Sequence, residues 1–200
     1  GFQRNDRRSS QSGTVGGITD LWLHDVETGR LVQATDDRFS DLQPTWSPDG
    51  RTIAFTSDRG PETNFAKLTY SQFQLALMDV ATFQVQVLPV FGNVKHINPQ
   101  YAPDGRSLYF ISDQDGFSDV YRLDLQTGDA SRVTKVATAV SGITYLSPAL
   151  SVAAQTGRIA FSVFDELEVH IVGLEPTAGT LVARAERAED QPGRKLPPAN

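Results

Sequence analysis

The chain has 200 residues, 39% of them hydrophobic, with 24 acidic against 18 basic side chains and a net charge of −6. That supplies apolar material for one domain core, and the acidic balance disfavours nucleic acid and anionic lipid as partners. Cysteine is absent, which removes disulfide and thiol chemistry.

Residues 1–17 carry Arg4, Arg7 and Arg8 against Asp6, end in Gly16-Gly17 and show no apolar alternation. They predict a flexible N-terminal segment. With no initiator Met and no apolar leader core, the chain is expected to be cut from something longer. No stretch approaches the roughly 18 apolar residues of a membrane-spanning helix.

From Ile18 the signal changes to short alternating runs closed by turn residues, the signature of hairpins. Leu21-Trp22-Leu23-His24-Asp25 is followed by Thr28-Gly29 and Leu31-Val32. Next come Pro44-Thr45-Trp46-Ser47-Pro48-Asp49-Gly50-Arg51 and the run Ile53-Ala54-Phe55. Pro presets φ for the turn, Asp suits its next position, and Gly takes the left-handed conformation that closes it. Both elements then recur. Leu75-Ala76-Leu77-Met78-Asp79 repeats the first; Pro99-Gln100-Tyr101-Ala102-Pro103-Asp104-Gly105-Arg106 with Leu108-Tyr109-Phe110-Ile111 repeats the second after 55 residues; Val120-Tyr121-Arg122-Leu123-Asp124 with Thr127-Gly128 follows. A third, eroded copy of the second element runs from Pro148 to Gly157-Arg158-Ile159-Ala160-Phe161-Ser162. Four strands per repeat at this period make one propeller blade.

The pattern P-x-W-S-P-D-G-R-x-I-A-F-x-S-D, followed by a strand ending in Asp and a Thr-Gly turn, resembles the repeat of TolB-type six-bladed β-propellers from about Ile18 to Gly173. The resemblance implies an exported, non-catalytic protein-interaction module in the periplasm or cell envelope. More narrowly, Lys95 to Gln100, Ser141 to Ser151 and Leu196-Pro197-Pro198 resemble envelope proteins in which such a propeller precedes a surface-antigen-type outer-membrane barrel.

The expected fold is therefore all-β: a propeller fragment of about three four-stranded blades plus a half-blade. Its inner strands start near Gln43, Ile97 and Tyr145, and the half-blade comes from Ile18 to Val32. Residues 18–174 form the blades; residues 175–200, rich in Ala, Gly, Pro and charge, read as a disordered linker. Because closure protects strand edges, such a piece is expected to be an open arc.

Catalytic signatures are missing. There is no Gly-x-Ser-x-Gly elbow; the three histidines, His24, His96 and His170, form no metal-binding pair; and Gly16-Gly17 lacks the spacing of a phosphate cradle. Asp113-Gln114-Asp115-Gly116 opens like a calcium loop, but Phe117 and Ser118 stand where a ligand and Gly are required, so a turn between strands is the better reading. Trp46 and Tyr101, and likewise Trp22 and Tyr121, occupy equivalent repeat positions, which marks them as interblade packing. No cofactor and no metal are expected.

What remains is one face. The loops Asp36 to Asp41, Phe91 to Asn98, Lys135 to Thr144, Asp58 to Ser71 and Asp113 to Ser118 should emerge together around the channel mouth. Asp41, Arg59, Lys95, His96 and Asp113, at their junctions, are the candidate contacts to a protein partner. A second reading makes the blades the substrate-gating propeller of a longer peptidase.

Overall fold

The computed structural model describes residues 3–5, 8–15, 18–142, 147–165, 167–175 and 180–184. Sixteen strands in four antiparallel sheets, and no helix, are found among them. The first sheet holds β1 (Gln3–Asn5), β2 (Arg8–Val15), β3 (Ile18–Asp25) and β4 (Leu31–Gln33). The second holds β5 (Asp41–Trp46), β6 (Thr52–Ser57), β7 (Gln74–Asp79) and β8 (Val85–Val87). The third holds β9 (His96–Tyr101), β10 (Ser107–Ser112), β11 (Asp119–Asp124) and β12 (Asp129–Arg132), and the fourth β13 (Leu150–Val152), β14 (Ile159–Asp165) and β15 (Glu168–Leu174). A last strand, β16 (Thr180–Arg184), pairs with the outer edge of β12.

Each of the first three sheets thus contains a four-stranded meander, to which β16 adds a fifth strand in the third, and the last is partial, as the repeat period implies, but the complete and partial blades are not where the residues suggested. Residues 3–5 and 8–15 are paired rather than flexible. They supply the inner strands of the first blade, with Arg8 to Val15 laddered against β3 and Ser9 and Ser10 buried. The run Arg8-Ser9-Ser10-Gln11-Ser12-Gly13-Thr14 carries no apolar alternation, so tertiary pairing overrides weak local propensity. Gly13 serves a packing need there, since a Cβ at this position would lie 3.1 Å from Cδ1 of Trp22. Within 175–200, Thr180–Arg184 is a strand, and the rest of the expected linker beyond Glu175 lies outside the described residues, as does the expected strand start at Tyr145.

The turns form as their residues dictate. Asp49 accepts from the Ser47 hydroxyl (2.7 Å) and the Arg51 amide (3.1 Å), Asp104 from the Arg106 amide (2.9 Å), and Gly50 and Gly105 sit at φ +70° and +66°. In the other turn Asp25, Asp79 and Asp124 each accept the amides two and three residues on. These bonds hold all three carboxyls below the ordinary range.

The core lies between sheets. Leu21 and Leu23 pack with Trp46, Ile53, Phe55 and Met78; Leu75 and Val90 with Phe110, Tyr121 and Leu123; Ile111 and Val120 with Leu150, Ile159 and Phe161. Each such side chain contributes roughly 1.5–3 kcal/mol when fully buried. The Tyr101 hydroxyl adds a polar tie, 2.8 Å from Thr52 Oγ1 on the preceding blade, and burial pushes its pKa up to about 12.

The inner strands are joined by a device that recurs at the repeat period. Gln43 and Asn98, each directly before a proline, sit at φ +53° and +54° where the pairing of β5 on β6 and of β9 on β10 slips. The Asn98 amide donates to Gln43 Oε1 (2.8 Å), and Asn98 Oδ1 accepts from the amides of Ala149 and Leu150 (2.8 and 2.9 Å). Proline removes a donor where the bulge leaves no partner for it.

Asn98→Gly accepts the positive φ but orphans two buried amides, so it should cost about 2–4 kcal/mol in chemical denaturation. A loss below about 1 kcal/mol would show that the relay carries little of the blade register.

Candidate functional site

Hydrogen bonds gather both kinds of loop on one side of the arc. The Ser40 amide donates to Asp58 Oδ1 (2.8 Å), and one repeat later the Lys95 amide donates to Asp113 Oδ1 (3.0 Å). Each Asp directly follows the second strand of its blade and caps the segment entering the inner strand, so Asp113 is first a structural residue.

Asp41 and His96, expected as free loop groups, are both fully buried. They begin β5 and β9, and at equivalent repeat positions each turns into the wedge between blades. Asp41 Oδ1 bonds Arg59 Nη1, and Arg59 Nη2 bonds Asp37, so the guanidinium is nearly sealed and is not free to meet a partner. Burial pushes the Asp41 carboxyl above its ordinary range against the pull of Arg59. Stacking of Arg59 on Phe39 and of Arg38 on Phe65 orders the long loop after Asp58.

His96 Nε2 lies 2.7 Å from the Val90 carbonyl, which can only accept, so Nε2 carries the proton and Nδ1 accepts from Ser112 Oγ at 3.1 Å. Phe91 and Phe110 enclose the ring. A serine hydroxyl facing a neutral imidazole has the elements of a nucleophile and its base. Here both residues are fully buried, and no substrate reaches them.

Three carboxylates, Asp20, Asp37 and Asp41, offer oxygens within 4.8 Å of one another. Arg59 already bonds two of them, and Gln33 and Thr35 donate to the third, so each carboxylate has a protein partner. In the loop that opens like a calcium site, Asp113 caps Lys95, and Asp115 accepts from the Tyr121 hydroxyl and Arg132.

Of the five candidate residues, Lys95 and Asp113 remain accessible, as a loose pair at 3.8 Å with each side chain about a third exposed. Lys95 lines a hollow of about 330 Å³ at the mouth between the second, third and fourth sheets, walled by Leu42, Phe73, Ile97 and Ile111 and rimmed by Gln43. It is the single charged residue in that lining among the described residues. Phe73 and Gln43 were missed from the sequence. Gln43 carries a signal, a carboxamide before proline matched by Asn98, whereas Phe73 has no recurring equivalent. On the opposite, Pro-Asp-Gly face, a cleft of about 710 Å³ is lined by Arg8, Arg30, Arg51, Asp25 and Asp79, whose carboxylates are occupied by their own turns.

No family model matches the chain. It is 25% identical over 129 residues to dipeptidyl-peptidase 5 of Porphyromonas gingivalis, covering 58% of this chain and 16% of that protein. It is 32% identical over 92 residues to the uncharacterized peptidase YuxL of Bacillus subtilis, covering 45% and 12%. The chain therefore spans under a fifth of the length of these curated relatives. Among solved structures it is similar to TolB from Acinetobacter baumannii (TM-score 0.70, 20% identity, 90% of this chain and 41% of that one) and a putative TolB from Agrobacterium tumefaciens (0.67, 19%, 88% and 60%). A puromycin hydrolase follows (0.62, 19%, 88% and 28%). These likenesses establish a β-propeller fragment.

Two measurements separate structural from accessible charge. Arg59→Met leaves Asp41 buried without its partner and should cost about 3–5 kcal/mol, whereas Lys95→Gln should change stability by less than about 1 kcal/mol. Equal losses would contradict the assignment. Burial holds the His96 imidazole below its ordinary value of 6.5, so below that pH the unfolded chain takes up a proton that the native state refuses. Stability should fall as pH drops from about 6.5 toward 5, and His96→Gln should flatten that decline in thermal melts. An unchanged slope would remove His96 as its cause.

Proposed function

We propose that this chain is a non-catalytic protein-interaction module, the propeller part of a cell-envelope protein, and that it meets its partner through the loop-bearing face. One observation carries the reading. The titratable groups that could do chemistry on that face are sealed or spent on internal bonds, while Lys95 stands at the rim of an apolar-walled hollow. A preformed concave apolar site with one convergent charge suits a short segment of a partner that carries a carboxylate.

A second reading, the substrate-gating propeller of a longer peptidase, is favoured by the matches to dipeptidyl-peptidase 5 and the YuxL peptidase. The two differ in what the full reading frame contains: a hydrolase domain for the second, none for the first.

In the full-length protein, Lys95→Glu should weaken capture of its partner from a cell-envelope extract at least several-fold, while the thermal midpoint moves by less than about 3 °C. Arg30→Glu, on the opposite face, should leave capture unchanged. Loss on Arg30→Glu with none on Lys95→Glu would place the surface on the wrong side, and peptide hydrolysis abolished by a single Ser or His substitution in a folded variant would favour the peptidase reading.

A further inference from the structure

The fourth sheet lacks what the other three possess. In each of those, the third strand ends in an acid, the chain turns, and four residues after the acid comes Gly29, Phe83 or Gly128 in a left-handed conformation. The fourth strand then returns on the third, as β4 on β3, β8 on β7 and β12 on β11. The same register is written after β15: Leu174-Glu175 matches Leu123-Asp124, Gly179 stands where Gly128 does, and Thr180-Leu181-Val182-Ala183 follows as Asp129-Ala130-Ser131-Arg132 does. Yet residues 180–184 sit on β12, making the third sheet five-stranded and leaving the outer edge of β15 unpaired among the described residues.

β15 also carries exposed apolar side chains, because no further sheet of the described residues packs on its face as the next sheet does on β3, β7 and β11. Leu21, Leu75 and Val120 hold one repeat position and are fully buried, whereas their equivalent Ile171 is 80% exposed; Leu167 at the tip of the β14–β15 turn is 88% exposed, and Val169 also faces solvent. A largely apolar strand with a free edge is a template for another strand.

We infer that residues 180–184 are the outer strand of the fourth sheet, and that the edge of β12 they cover here is a strand-addition site for an extended partner segment. The partner's chemistry is set by the occupant seen on that edge. It is a short run of β-branched and apolar residues, antiparallel to β12, with a basic residue at the register position of Arg184, opposite Asp129. Main-chain bonds supply affinity and the alternate side chains supply selectivity, as in other strand-addition complexes. The segment 180–184 therefore works as a placeholder: seated on β12 it closes the site, and returned to β15 it opens it.

Two cysteine pairs that share one residue distinguish the seats, and the chain has no native cysteine to interfere. Transposing the β11–β12 register onto β15 sets Val172 opposite Ala183, while the observed pairing sets Ala130 opposite Ala183. Directly opposed residues in antiparallel strands lie about 4.5–5.5 Å apart at Cα, within disulfide reach. In residues 1–200 under mild oxidation, V172C/A183C should close an intramolecular disulfide faster than A130C/A183C, with the circular dichroism of both reduced variants equal to that of the parent chain. The locked V172C/A183C chain should then bind a labelled, end-blocked peptide of residues 179–185 at least as tightly as its reduced form, in which the segment already spends most of its time on β15. The locked A130C/A183C chain should not bind it. Equal or faster closure of A130C/A183C overturns the assignment of the strand, and absence of peptide binding to the locked V172C/A183C chain overturns the strand-addition site.

Discussion

The carboxamide of Asn98 makes the contacts on which the arc depends. It reaches from the inner strand of one blade to two amides on the inner strand of the next, while its own backbone amide is held by Gln43 of the blade before. Apolar packing between sheets supplies most of the stabilisation, but it is tolerant of sliding, because similar side chains repeat along every strand. Directional bonds between inner strands are not, and they sit where the blades converge. The left-handed conformation of Gln43 and Asn98 aims each carboxamide at its neighbour, and the proline that follows removes a donor the bulge would strand. Strain at two residues is thereby converted into register between three sheets.

The same economy governs how the polar side chains of this face are used. Asp58 and Asp113 are consumed in capping the segments that enter the inner strands, Asp41 in neutralising Arg59, and His96 in bridging Val90 to Ser112. An array that must hold irregular loops against a regular sheet needs buried polar groups with defined partners, and those are the residue types that chemistry would otherwise use. Lys95 keeps its freedom because its backbone amide, rather than its ammonium, makes the structural bond to Asp113.

The repeat made the blades legible, because Pro-Asp-Gly and Thr-Gly turns force a local conformation whatever surrounds them. The inner strands of the first blade were hidden for the opposite reason. Arg8 to Thr14 is polar and small, and its strand exists only because β3 offers a ladder and Trp22 needs the space at Gly13. At the site, position in the repeat showed which loops share one side of the arc but could not tell a buried charge from an accessible one. Asp41 and Lys95 both stand at loop junctions and both meet a residue 18 positions on, but Asp41 is sealed beneath Arg59 whereas the Lys95–Asp113 pair is loose and part exposed. The Gln43–Asn98 relay was readable in principle, since two carboxamides precede two prolines one repeat apart, but a single carboxamide before proline carries no meaning until its equivalent is set beside it.

Amide hydrogen exchange at Asn98, Ala149 and Leu150 tests the central claim most directly. If the carboxamide relay fixes the blades against one another, these three amides exchange only through global opening, as slowly as those of the buried strands β6 and β10. Exchange at the rate of the exposed loop residues would contradict it, and would leave apolar packing alone to hold the inner strands in register.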